Sequence, residues 1–194
     1  MTDFKHIKLL LMDVDGCMTD GTIYYGNNGE ELKRFCIYDG MGCVLLRQAG
    51  IPCGIITSEQ IPLVERRARK LQLDYLYKGA GSKQGKDYTL RYIPASAEPE
   101  KVPPMTKLEA AREICRLMHI SLAEVCFIGD DVNDLDLLLS VGHPVCPANA
   151  IPQVKAIPNI RILEQKGGEG AIRFITDEII AANKDEVDAI EAKK

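Results

Sequence analysis

The sequence predicts an open, mostly parallel α/β sheet in a single domain, and three observations carry that prediction. Short apolar runs without alternation, such as Leu9 to Met12, suit strands covered by helices on both faces. These runs alternate with segments of helical periodicity, the order that builds a parallel sheet. Two runs end in acids: Asp13 and Asp15 after the first, and Asp130, Asp131 and Asp134 after Val125 to Ile128. Ionised carboxylates need water, a partner or a metal, so these acids belong at the strands' carboxyl ends.

The elements follow in order. Ile7 to Met12 reads as strand one, and residues 22 to 38 as a hairpin turning at Gly26-Asn27-Asn28-Gly29. A short helix is expected over Gly42 to Gln48, stopped by Gly50, and then a strand from Ile51 to Thr57. Ile61, Val64, Ala68 and Leu71 recur at steps of three, four and three, an amphipathic helix with Pro62 in its first turn. Asp74 to Tyr77 is a short strand. Residues 80 to 106 are proline-rich and without sustained periodicity, which predicts a loop-like insertion. Thr106 and Glu109 form a capping-box pattern, and Leu108, Ala111, Cys115 and Met118 trace the apolar face of the helix that follows. Val125 to Ile128 is a strand, followed by a helix from about Asp131 to Leu139. Apolar segments near Pro144 to Cys146 and Ile160 to Leu163, and a helix from about Ala171, complete a domain over residues 1 to 180. Residues 181 to 194 read as a charged tail.

A chain of 194 residues, 46% of them apolar, can bury one substantial core. Lys and Arg number 24 against 28 Asp and Glu, so the balance gives no reason to expect nucleic acid. No apolar stretch approaches the roughly 20 residues of a membrane span, and the start lacks a signal peptide's apolar core, so a cytoplasmic protein is expected. Seven scattered cysteines without a C-x-x-C pair argue against a disulfide framework or a zinc site.

In an open α/β sheet the ligand crevice lies outside the carboxyl ends of the strands. Asp13, Asp15, Thr57, Ser58, Asp130, Asp131 and Asp134 all fall at such ends or just after them, with Lys107 at a helix start. A cluster of hard oxygen donors suits Mg2+.

D-x-D-G-x-x-T-D-G from Asp13 to Gly21, Thr57 ending a strand, helix-starting Lys107 and G-D-D-x-x-D from Gly129 to Asp134 resemble the four motifs of the haloacid dehalogenase superfamily phosphohydrolases. Within that superfamily the pattern is similar to the capless KDO 8-phosphate phosphatase family, which acts on phosphates of 3-deoxy-ulosonic acids. The resemblance runs from Ile7 to about Ile180, interrupted by residues 80 to 106, an insertion the family does not usually have. It implies a Rossmann-like sheet with a hairpin extension and no large cap domain. It also implies a Mg2+-dependent phosphatase in which Asp13 attacks phosphorus to form an aspartyl phosphate. Asp15 protonates the leaving oxygen, and Thr57 and Lys107 hold the phosphate. The metal is implied on Asp13, the backbone carbonyl of Asp15 and Asp130, supported by Asp131 and Asp134. Such a division of labour meets the physical need, since phosphate monoesters hydrolyse very slowly without charge neutralisation and a nucleophile. Lys83 competes for the lysine's role, but Lys107 lies on the capped helix, 23 residues before Asp130, a spacing like the family's.

Arg66, Arg67, Arg69 and Lys70 form a basic run on one helix, with Arg67 and Lys70 as neighbours three apart. Together with Glu59 that pair resembles the branch acting on nine-carbon acid 9-phosphates, where it meets the substrate carboxylate; Ser58 departs from the glycine found in relatives. The segment Gly167 to Arg173 resembles one that reaches a neighbouring subunit's site, with Arg173 as its cation, and the hairpin resembles the element that builds a homotetramer. The alternatives are a phosphatase of the same superfamily with another small substrate, and a non-catalytic domain regulating a sugar-nucleotide synthetase. A signalling receiver domain would carry its aspartate on a later strand.

Overall fold

The computed structural model describes residues 4–29, 31–81 and 87–183. Its strands are β1 (Leu9–Met12), β2 (Tyr24–Tyr25), β3 (Glu31–Leu32), β4 (Cys53–Thr57), β5 (Tyr75–Lys78), β6 (Thr89–Tyr92), β7 (Glu100–Val102), β8 (Val125–Ile128), β9 (His143–Cys146) and β10 (Arg161–Ile162). Its helices are α1 (Ile37–Gln48), α2 (Pro62–Leu71), α3 (Lys107–Met118), α4 (Leu135–Leu138), α5 (Pro152–Lys155) and α6 (Ala171–Ala182). Eight strands form one sheet in the order β10-β9-β8-β1-β4-β5-β6-β7, while β2 and β3 form a separate antiparallel hairpin.

The strand β1 is central, parallel to β4 on one side and to β8 on the other. All four of its residues are fully buried, as its unbroken apolar run requires. Its alternate side chains serve opposite faces. Leu10 and Met12 join a core with Leu46 of α1, Val64 and Ala68 of α2, and Ile172 and Ile175 of α6. Leu9 and Leu11 join a second core with Ala110, Ala111 and Ile114 of α3 and Leu137 and Leu138 of α4. The centrality of β1 places the site, because its carboxyl end is flanked at once by the ends of β4 and β8.

Two expectations are corrected. The first helix begins at Ile37, five residues earlier than predicted. Gly40 and Gly42 argue against a helix by propensity, yet Gly42 sits where α1 meets α6. A Cβ there would lie 2.4 Å from Thr176 Oγ1 and 3.0 Å from the Arg173 backbone, so close helix packing is what this glycine provides.

The second correction concerns residues 80 to 106, which are not simply a loop. Two short strands, β6 and β7, add antiparallel to the edge beyond β5. Runs of four and three residues are too short to display a period, and the prolines lie outside them. Glu65 of α2 anchors this segment. It accepts a hydrogen bond from the Tyr92 hydroxyl (2.7 Å), and pairs with Lys78 Nζ (3.4 Å) and Arg69 (3.0 Å). Arg69 also donates to the Ala97 carbonyl at 3.1 Å. The Gly81 N–H donates to the Met105 carbonyl at 2.9 Å, so the segment leaves and returns at nearly one point. Lys83 and residues 184 to 194 lie outside the described residues.

The predicted helix from Asp131 to Leu139 divides into a single turn over Val132–Asp134 and the short α4. The capping box at Thr106 and Glu109 forms as expected. All seven cysteines are free. No helix among the described residues is long and apolar enough to cross a membrane.

Candidate active site

Because β1 pairs with β8, the Asp13 N–H donates to the Ile128 carbonyl at 3.0 Å, and the acids that follow the two strands meet. One carboxylate oxygen each from Asp13, Asp130 and Asp134 lie within 4.8 Å of one another. Asp134 is placed by the turn after β8. Its Oδ2 accepts the N–H groups of Asp130 (3.0 Å) and Asp131 (3.3 Å). Its Oδ1 accepts from Lys107 Nζ at 2.6 Å. Lys107 is the first residue of α3, fixed by the capping box, and its Nζ also stands 2.9 Å from Asp13 Oδ1. Asp13, Asp134 and Lys107 are buried and Asp130 is half-buried, so three carboxylates crowd around one ammonium that pairs directly with two of them.

That imbalance governs the site's protons. Burial pushes the Asp13 carboxyl up to about 7, with Lys107 pulling it down and Asp134 pushing it further up. Burial, reinforced by Asp13 and then Asp134, pushes Asp130 up to about 8. For Lys107, burial works against the charge, but the Asp13 and Asp134 carboxylates outweigh it and hold the ammonium well above its ordinary range. A divalent ion relieves the same excess of negative charge that these protons relieve, and an all-oxygen donor set of this kind fits magnesium.

Gly16 is required beside the cluster. Its φ is +80°, and a Cβ there would lie 1.9 Å from Asp130 Oδ2. Its carbonyl accepts from Asn149 Nδ2 at 2.9 Å, and Asn149 Oδ1 in turn accepts the Gly167 N–H at 2.7 Å, which stacks the Gly167 loop onto the turn after β1. Cys17 places its thiol 3.6 Å from Asp130 Oδ1. Burial first, and Asp130 second, push that thiol well above its ordinary value, so it faces the carboxylate as a neutral S–H.

Asp15 turns its carboxylate away from the cluster toward Lys33, whose Nζ lies 2.8 Å from both oxygens. Thr19 Oγ1 donates to Asp15 Oδ1 at 3.4 Å. Thr57, buried at the end of β4, accepts the Glu59 N–H on its hydroxyl at 3.2 Å. Ser58 donates to the Ala80 carbonyl and accepts from Asn133 Nδ2, each at 3.1 Å, tying the loop after β4 to the turn after β8. A cavity of about 850 Å³ opens beside Lys107, lined by Ser58, Met105, Leu108, Asn133 and Leu135.

Of the remaining candidates, Asp131 touches the aspartates through its backbone, and the others are not brought to them. Asp131 is exposed, and its Oδ1 accepts the Val132 N–H (2.7 Å), capping the turn. Arg67 donates to the Cys36 carbonyl (2.9 Å) and lies over the Phe35 ring. Lys70 is exposed on the outer side of α2. Arg173 pairs with Asp177 at 2.7 Å. No hydrogen bond or ion pair joins Glu59, Arg67, Lys70 or Arg173 to the cluster within this chain among the described residues. Sequence reasoning missed Lys33, Asn149 and Cys17. For Lys33 the signal was alternation, since Leu32 and Arg34 point outward on either side of a lysine side chain that is 1% exposed.

A family model for haloacid dehalogenase-like hydrolases matches residues 102–175. The chain is 35% identical over 178 residues to 3-deoxy-D-manno-octulosonate 8-phosphate phosphatase KdsC of Yersinia pestis, covering 91% of this chain and 81% of that one. With the Salmonella typhi enzyme of the same name it shares 33% over 186 residues, covering 94% and 84%. The crystal structure of 3-deoxy-D-manno-octulosonate 8-phosphate phosphatase from Moraxella catarrhalis holds a magnesium ion, a phosphate ion and a KDO molecule. It matches with a TM-score of 0.78 at 30% identity, over 99% of this chain and 96% of that one. Magnesium is the cofactor that the aspartate cluster and this relative agree on. The chain is a phosphoric monoester hydrolase and belongs to the 3-deoxy-D-manno-octulosonate 8-phosphate phosphatase family of haloacid dehalogenase-like hydrolases.

Proposed function

We propose that the chain hydrolyses the phosphate of a 3-deoxy-ulosonic acid, foremost 3-deoxy-D-manno-octulosonate 8-phosphate, through an aspartyl phosphate on Asp13. The observation that carries this reading is the placement of Asp13 Oδ1 2.9 Å from Lys107 Nζ, beside the carboxylates of Asp130 and Asp134. The Asp13 carboxylate attacks phosphorus, the bond from phosphorus to the sugar oxygen breaks, and Asp15 gives that oxygen a proton. Asp15 then takes a proton from the water that attacks the aspartyl phosphate, which frees orthophosphate and restores Asp13. Magnesium, held by Asp13, the Asp15 carbonyl and Asp130, neutralises charge on the phosphoryl oxygens when bound. Lys107 and Thr57 hold the phosphate, and Asp134 serves by fixing Lys107 and the Asp130 backbone.

The names of the relatives support the eight-carbon substrate. A second reading, a nonulosonate 9-phosphate, is favoured by Glu59 with Arg67 and Lys70, which resemble the nine-carbon branch. Phosphate release from both sugar-acid phosphates, by the native chain and by Glu59→Arg, separates the two. The eight-carbon reading expects Glu59→Arg to be tolerated, and the nine-carbon reading expects it to abolish that turnover. Inactivity of the native chain on both, with magnesium present, would favour a non-catalytic domain.

The hairpin supports assembly. Tyr24, Tyr25, Leu32, Ile37, Tyr38 and Met41 are exposed together on it and on the start of α1, with Ile37 at 84% and Tyr25 at 75%. We read this face as the seam of a homotetramer of a cytoplasmic enzyme, in which a neighbour brings Arg173 to the site, and mass measurement in solution tests it.

A further inference from the structure

We infer that Lys33, carried by the hairpin, is a positioning residue that holds Asp15 for proton transfer to the leaving oxygen. The inference rests on the role proposed for Asp15 and gives it a device that none of the four motifs contains.

The geometry is specific. Lys33 follows β3 directly and turns inward, its side chain 1% exposed, while Asp15 keeps 33% of its side chain accessible. The ammonium lies 2.8 Å from each carboxylate oxygen, closer than to Glu31 at 3.7 Å. The backbone that delivers Lys33 is tied down on both sides. Arg34 pairs with Asp20 at 2.9 Å and with Glu169 at 3.2 Å, and Phe35 forms a β-bridge with Thr19. Thr19 in turn touches Asp15. The lysine is therefore not a surface chain that happens to meet an acid. It is a buried cation presented beside a braced strand, and it meets Asp15, a motif carboxylate that stands outside the aspartate cluster.

Two consequences follow. A carboxylate gripped on both oxygens keeps one orientation, and proton transfer demands placement within hydrogen-bond reach of the leaving atom. The fixed ammonium also offsets the negative charge that Asp15 gains as its proton passes to the leaving oxygen. The hairpin thus supplies a working part of the site as well as an outer surface.

The test compares leaving groups. An alkyl phosphate, such as the sugar-acid phosphate, expels a strongly basic oxygen and depends on the acid, whereas p-nitrophenyl phosphate expels a stable phenolate and depends on it little. Comparing kcat/KM confines the measurement to steps up to leaving-group departure. With magnesium present, Lys33→Met is expected to lose about tenfold to a hundredfold on the alkyl phosphate, within the usual range of general acid catalysis. The loss on p-nitrophenyl phosphate is expected to be smaller by roughly tenfold. Equal losses on both substrates, or none on either, would overturn the inference. Lys33→Gln carries the same comparison where Lys33→Met does not fold. Asp15→Asn, run alongside, keeps the two readings apart. A split in Asp15→Asn without one in Lys33→Met removes only the lysine's role, and no split in Asp15→Asn removes the general-acid reading itself.

Discussion

Two buried lysines, both near the carboxyl ends of strands, invite comparison. Lys107 and Lys78 are each 2% exposed, and each meets carboxylate. Around Lys78 the charges are more than answered: Glu65 is met by Lys78, Arg69 and the Tyr92 hydroxyl, so one acid has three donors. Around Lys107 three acids share one cation. A closed network of the first kind fastens one part of a protein to another. A buried excess of negative charge is costly to keep and stable only when a further cation arrives. The difference separates a clamp from a cluster suited to a metal ion without reference to any motif.

The comparison breaks most sharply at Asp13. Asp13→Asn is expected to lower phosphate release by at least ~10³-fold, since the nucleophile proposed above is removed. The thermal midpoint should drop by no more than a few degrees, because Lys107 retains Asp134. Next in size is Lys107→Met, with an expected loss of about 10²-fold or more in kcat/KM and about 3–5 kcal/mol of stability, because two buried acids lose their partner. Urea unfolding checks the second figure. By contrast Lys78→Met should leave kcat/KM within about threefold and cost about 1–2 kcal/mol, since Glu65 keeps its other two donors.

A subtler test uses pH, where the two clusters respond with opposite sign. Asp13 and Asp130 are pushed up from 3.8 to about 7 and about 8, so the folded chain without metal binds protons that the unfolded chain has released. Stability from these groups is therefore lost as pH rises from about 4 to about 8. Magnesium restores it, so thermal scans should show a larger magnesium-induced rise in midpoint at pH 8 than at pH 5. Glu65 is held below its ordinary value of 4.5, although burial alone would raise it, because Tyr92, Lys78 and Arg69 prevail. Its contribution is present above 4.5 and fades as pH falls. The smallest effect expected is that of Glu65→Gln, about 1 kcal/mol at pH 7 and shrinking toward pH 4.

Much of this was legible in the sequence. Apolar runs ending in acids located β1 and β8, and their adjacency follows from parallel pairing, which is why Asp13, Asp130, Asp134 and Lys107 converge as expected. The insert strands were illegible because they are shorter than a readable period, and the first turns of α1 because their glycines serve packing against α6 and defeat propensity. Lys33 was passed over because its partner lies 18 residues away across a turn. Asn149 was passed over because its value lies in joining two loops 133 and 18 residues distant. Local pattern carries no record of such pairs.

The hydrogen bond from Gly81 to Met105 closes the added strands at their root. That root fixes where the chain re-enters α3, so Lys107 is set relative to β5 by a contact two residues before it. The added strands are themselves part of the packing, since Tyr92 and Ala95 lie in the core and Arg91 meets Glu113 of α3, so foreign chain is better spliced at the exposed Glu98 and Pro99 than in place of either strand.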